Sequence, residues 1–144
     1  MIDPKQGILT LCASGFSITP HTTPQALTEK IPSQIVRIHP VNTGYTQYNC
    51  WLDVESKQYV WASICFHGDV LDSIRLYPQH SCAAIPAPQP TPVDMEVSHP
   101  IAHGWYERMI GQDESDFSWG SIRYVKGNDP IYHPTCIFIR FSAK

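Results

Sequence analysis

The sequence predicts an α+β fold in which a single antiparallel β-sheet, a central meander plus a terminal hairpin, is packed by two α-helices. Three observations carry this expectation. Alternating apolar runs follow one another across short polar turns in the middle of the chain. Two other segments place apolar residues at helical spacing behind capping signals. The length, 144 residues, suits one domain spanning positions 1–144.

Gly7 to Cys12 is a short apolar run that ends at Ala13-Ser14-Gly15, and Phe16-Ser17-Ile18 resumes a period of two, so the two form a small opening hairpin. Thr23 is placed to cap a helix with Pro24 at its first position. Ala26, Leu27 and Ile31 would face the core, and Pro32 ends the helix. Gln34 to His39 is rich in β-branched residues and closes at Pro40, before the turn residues Asn42-Thr43-Gly44.

Three strands follow, Tyr45 to Val54, Tyr59 to Phe66 and Val70 to Tyr77, separated by Glu55-Ser56-Lys57-Gln58 and His67-Gly68-Asp69. Turns this short require antiparallel neighbours. Trp51 and Trp61 would lie on adjacent strands and pack together or cover the sheet against a helix. Between positions 79 and 92, prolines alternate with small or polar residues, which predicts an extended crossover and no helix or central strand. With no basic PxxP flank, this crossover reads as a spacer.

The second helix is expected from about Ser98-His99-Pro100 to Gly111, with Ile101, Trp105 and Met109 in a stripe joined by Ala102 and Ile110. After an acidic loop, Asp113-Glu114-Ser115-Asp116, two strands close the chain, Phe117 to Lys126 and Thr135 to Phe141.

Composition restricts the function classes. Charged residues make up 16% of the chain and the net charge is −3, so neither a phosphate backbone nor an anionic bilayer attracts it. Nucleic-acid and membrane partners are therefore not expected. The five cysteines, Cys12, Cys50, Cys65, Cys82 and Cys136, show no CxxC spacing and read as reduced thiols in a cytoplasmic protein. Leu9-Thr10-Leu11-Cys12 resembles a lipoprotein cleavage site in position only: the apolar run is too short, and Leu11 stands where a small residue is wanted.

His99 and His103 have the HxxxH spacing of zinc ligands, but Pro100 occupies the place of the metalloprotease glutamate and Cys82 is no natural third ligand. Cys65 and His67 share a strand face, the geometry a thiolate–imidazole pair needs, although His67 opens a turn. Glu107 and Asp72 have no evident acid–base partner. No catalytic residue, metal or cofactor is therefore expected. Asp113, Glu114 and Asp116 beside Phe117 and Trp119 remain as a candidate contact surface, in which carboxylates steer a basic protein and an aromatic anchors it.

Two stretches carry a resemblance. Gly7-Ile8-Leu9-Thr10-Leu11 through Phe16-Ser17-Ile18-Thr19-Pro20-His21-Thr22-Thr23 is one. The other joins the Trp105 helix to Phe117-Ser118-Trp119-Gly120-Ser121-Ile122 and the terminal Ile137-Phe138-Ile139-Arg140-Phe141. In this order they resemble small bacterial immunity proteins of interbacterial toxin systems and related uncharacterised domains. The resemblance implies a cytoplasmic protein that binds and blocks a cognate toxin and catalyses nothing. The competing expectations are a small hydrolase or metal-dependent enzyme built on Cys65, His67, His99 or His103, and an adaptor or chaperone for a secreted effector, which would expose an apolar groove.

Overall fold

The structure, a computed structural model, describes residues 1–90, 100–111, 114–127 and 135–142. Its strands are β1 (Ile2–Asp3), β2 (Ile8–Thr10), β3 (Ser17–Ile18), β4 (Ile35–Asn42), β5 (Tyr45–Glu55), β6 (Gln58–His67), β7 (Val70–Cys82), β8 (Glu114–Phe117), β9 (Gly120–Val125) and β10 (Cys136–Phe141). The helices are α1 (Pro24–Lys30) and α2 (Pro100–Met109), and a 3-10 turn spans Pro32–Gln34. The class is α+β, but the single sheet expected from the sequence is two. Among the described residues, one sheet has three strands in the order β1-β2-β3 and the other has seven in the order β4-β5-β6-β7-β10-β9-β8. Every pairing is antiparallel.

The opening hairpin forms as expected, yet its strands are too short to extend a ladder of ten-residue neighbours, and β1 joins them to make a small sheet. This sheet seats Leu9, Leu11 and Ile18 in the same core as the large sheet. Asp53 secures the junction: its carboxylate accepts from Ala13 N at 2.7 Å and from Gln34 Nε2 at 3.3 Å. Thr23 caps α1 by accepting from Ala26 N, Leu27 and Ile31 are buried, and Pro32 opens the 3-10 turn that follows.

The core face of the large sheet is one row repeated along the ladders. Tyr48, Ile64, Ile74, Ile139 and Ile122 stand side by side in register across five strands, and all are buried. Helix α2 covers this face with Trp105 and Tyr106, Ile110 joins them just past its last turn, and Met109 is half-buried. Ile101 and Ala102, also assigned to the stripe, are helical. Trp105 Nε1 donates to Glu55 Oε2 and Arg108 to Glu55 Oε1, which ties the helix to the end of β5.

Three boundaries differ from the sequence reading, each for a local reason. β4 continues through Pro40, because it is an edge strand with a register shift between Pro40 and Asn42, where a missing N–H does no damage. β7 runs past Pro78 into the expected spacer: the register jumps between Trp61↔Tyr77 and Val60↔Ser81, so a bulge takes up the proline and pairing resumes at Ser81 and Cys82. Glu114 to Asp116 of the expected acidic loop, and the strand after it, are a hairpin, β8 and β9, turning at Ser118-Trp119. Gly120 makes this turn possible, with φ at +154° and the Arg140 carbonyl oxygen only 1.9 Å from where a Cβ would stand.

Candidate functional site: the open face of the large sheet

Strand alternation gives the seven-stranded sheet a second face, which no described helix covers. One register row on it runs Arg37, Asn49, Ser63, Arg75, Phe138 and Arg123. The next runs His39, Gln47, Cys65, Ser73, Arg140 and Ser121, with Asp116 opposite Ser121. Four of the five arginines of the chain therefore share one face of one sheet.

Hydrogen bonds fix the middle of this face. Gln47 Nε2 donates to Asn49 Oδ1 at 2.9 Å, and Ser63 Oγ donates to the same oxygen at 3.0 Å. Arg75 is exposed and its guanidinium lies 4.6 Å from the centre of the half-buried Phe138 ring, a cation–π contact that leaves its N–H edges available. Arg123 donates to Asp116 at 2.6 Å. Arg37, Arg75 and Arg140 have no carboxylate within ion-pair distance among the described residues.

One end of the face is closed by aromatics. Trp51 and Trp61 pack edge to face, their ring centres 4.9 Å apart, and both are buried. The sequence expectation that they meet holds, on the face opposite the helices. The proline-rich stretch covers them, its Ala87 carbonyl accepting from Trp51 Nε1 at 3.1 Å. Tyr77 stands in register with Trp61, and Cys136 shares the face of Phe138, two residues before it on β10. Burial pushes the Tyr77 hydroxyl up to about 12 and the Cys136 thiol up to about 11, so both stay protonated near neutral pH.

The residues singled out from sequence are distributed as follows. Glu114 lies on β8 in register with Arg123, and Asp116 is exposed and paired with that arginine, so β8 brings Asp116 to the rim of the open face instead of into a separate loop. Asp113 lies outside the described residues. Phe117 does not accompany Asp116: adjacent strand residues face opposite ways, and Phe117 stacks on Trp119 at 5.5 Å against the core. His99 also lies outside the described residues, and His103 is an exposed side chain 3.5 Å from Glu107 and edge-on to Tyr124.

His67 stacks on Tyr45 with ring centres 4.5 Å apart, and the Cys65 thiol is raised, first by burial and then by Asp72, with Arg75 only partly opposing. That setting suppresses the thiolate that a nucleophile needs. All five cysteines are free thiols, of which Cys12 is exposed. Among the described residues, no three His, Cys, Asp or Glu side chains converge as a metal site. No described helix is long and apolar enough to cross a membrane.

A cleft of about 930 Å³ opens beside the small sheet, lined among others by Lys5, His21, Asp69, Trp119 and Phe141. Its charged groups are exposed in a wide mouth, unlike the desolvated setting that tunes catalytic groups.

The chain matches no protein-family model, no curated protein and no solved structure.

The arginines of the open face escaped the sequence reading. Their signal is a repeated triplet in which arginine stands between apolar residues, as in Val36-Arg37-Ile38, Ile74-Arg75-Leu76, Ile122-Arg123-Tyr124 and Ile139-Arg140-Phe141. Each triplet tells that its arginine opposes the core. Only the register tells that all four meet.

Proposed function

We propose that this chain is a non-enzymatic protein-binding domain that acts as an immunity protein, occluding a toxin with the open face of its large sheet. The observation that carries the reading is the set of Arg37, Arg75 and Arg140 on a face that no described helix covers, without carboxylate partners among the described residues. Guanidinium groups recognise carboxylates through paired N–H donors, and a hydrogen-bonded sheet fixes the backbone that presents them. The half-buried Phe138 beneath Arg75 supplies an aromatic centre of the kind that dominates protein interfaces. The Cys65 thiol, raised first by burial and then by Asp72, is disfavoured as a thiolate nucleophile, which supports recognition over hydrolysis.

In this reading the partner presents an acidic surface, with Asp116 at the rim setting its orientation. The sequence alone favoured a basic partner for the carboxylates; the ion pair from Asp116 to Arg123 weakens that choice, because it cancels part of their field.

The test is co-expression with a toxin-domain protein encoded next to this chain. The parent should protect the cells, and the variant Arg37→Glu, Arg75→Glu, Arg140→Glu should not, with its thermal midpoint close to that of the parent. Equal protection by the folded triple variant would remove the open face from the interface.

A further inference from the structure

The described chain exposes six large hydrophobic side chains, and three of them, Val36, Ile38 and Val41, lie on β4, the edge strand of the seven-stranded sheet. Ile38 is 49% exposed. Edge strands are ordinarily guarded by charge, proline and bulges, and β4 has all three: Arg37, Pro40 and register shifts at Ile35/Arg37 and Pro40/Asn42. Between the two shifts, Arg37 to Pro40 keeps a regular register against β5, so four residues present a clean edge. A guarded edge has no need of exposed β-branched residues. An edge that receives a strand does.

We infer that β4 docks an extended segment of a protein partner, in which acidic and apolar residues alternate. Arg37 and His39 are two positions apart on the open face, opposite Asn49 and Gln47, and Ile38 between them is opposite Tyr48 on the other face. A strand added along β4 sets its side chains directly opposite at about 4.5–5.5 Å, alternating between the faces. Two acidic residues separated by one apolar residue would therefore meet Arg37 and His39 on one face and Ile38 on the other. With so few main-chain hydrogen bonds, one of them denied by Pro40, these side-chain contacts decide the specificity.

A second copy of this chain is the rival occupant, and charge decides against it. Two β4 strands related by a two-fold axis near Ile38 would set the Arg37 guanidinium of each copy against the His39 ring of the other, so a second copy supplies no carboxylate to either arginine, whereas an acidic segment does. The inference rests on the protein-binding reading but concerns the edge and not the arginines in the middle of the sheet.

The full chain would be titrated calorimetrically with three acetylated, amidated peptides: Thr-Glu-Ile-Glu-Val-Thr, the same peptide with lysine for glutamate, and the acidic peptide N-methylated at alternate residues. Saturable 1:1 binding is expected from the acidic peptide only. Arg37→Glu should weaken it at least about tenfold, a change of about 1.4 kcal/mol. Ile38→Lys should do the same, with thermal midpoints showing that both variants fold. Arg75→Glu with Arg140→Glu should leave peptide binding intact while removing toxin protection, which separates failure of this inference from failure of the functional reading. Equal binding of the lysine or N-methylated peptide would overturn the inference. So would no binding of the acidic peptide, or a dimer of the unliganded chain that Ile38→Lys dissociates.

Discussion

Trp105 on α2 donates its indole N–H to Glu55 Oε2 at 2.8 Å, while Arg108, one turn on, donates to Oε1 of the same carboxylate at 3.1 Å. One side chain at the end of β5 thus sets how the helix lies on the sheet. The indole is buried and the guanidinium exposed, so the two bonds differ in worth. Glu55→Ala should lower stability by about 1–2 kcal/mol by leaving the indole N–H unpaired. Arg108→Ala should change it by less than about 1 kcal/mol, as exposed ion pairs do. Urea unfolding of both variants measures the difference, and equal losses would contradict it.

Two glycines should respond to alanine with opposite signs. At Gly120 the new methyl would collide with the Arg140 carbonyl oxygen, a backbone atom that cannot move without breaking the β9–β10 ladder. Gly120→Ala should therefore cost more than about 3 kcal/mol. Gly104 lies within α2 with nothing within 4 Å of its missing Cβ. Gly104→Ala should stabilise by about 0.5–1 kcal/mol through helix propensity alone. Thermal denaturation of the pair tests both signs in one experiment.

Much of the fold was legible because periodicity and turns are local. The three central strands, the Thr23 cap and the burial of Trp105 and Ile110 all follow from residues within a few positions of one another. What escaped depends on distant partners. The jump that carries β7 past Pro78 needs β6 beside it, and the placing of β10 between β7 and β9 cannot be read from either neighbour. The β8–β9 hairpin was missed although Ser118-Trp119-Gly120 signals a turn, because the flanking residues continue an apparent alternation. The candidate site was the least legible feature. Glu114 and Asp116 form a visible run, whereas Arg37, Arg75, Arg123 and Arg140 converge only through five pairings that join six strands.

Alkaline pH should weaken the fold through its buried thiols. In the folded chain the Cys136 thiol is raised from 9.0 to about 11, and Cys50 moves in the same direction, both by burial. Below pH 9 the thiols are protonated in folded and unfolded chains alike, so their contribution to stability is fully present there. Between about pH 9 and 11 the unfolded chain loses the Cys136 proton while the folded chain keeps it, and stability falls until the folded thiol also ionises. Urea midpoints at pH 8 and 10.5 should differ in the parent, and Cys136→Ala should reduce the difference, with Cys50 and Tyr77 accounting for what persists. An unchanged difference in the variant would remove Cys136 from the effect.

The sign of the charge on the partner can be read from a single rim residue. Asp116 is 77% exposed and pairs with Arg123, so Asp116→Ser removes a surface ion pair that contributes at most about 1 kcal/mol and takes one negative charge off the rim of the open face. If the toxin meets this face with an acidic surface, the substitution should quicken association or leave it unchanged. Arg75→Glu with Arg140→Glu should slow it, most strongly at low salt, where exposed charges act over longer distances. If the toxin surface is basic, as the run Asp113, Glu114 and Asp116 suggested from sequence, both effects reverse: Asp116→Ser slows association and the arginine reversals quicken it. Surface-immobilised toxin, probed with each variant at low and moderate salt, gives the on-rates directly. The opposed signs separate the two charge assignments even if the overall affinity changes little, since rim charges act mainly on encounter and buried contacts mainly on dissociation.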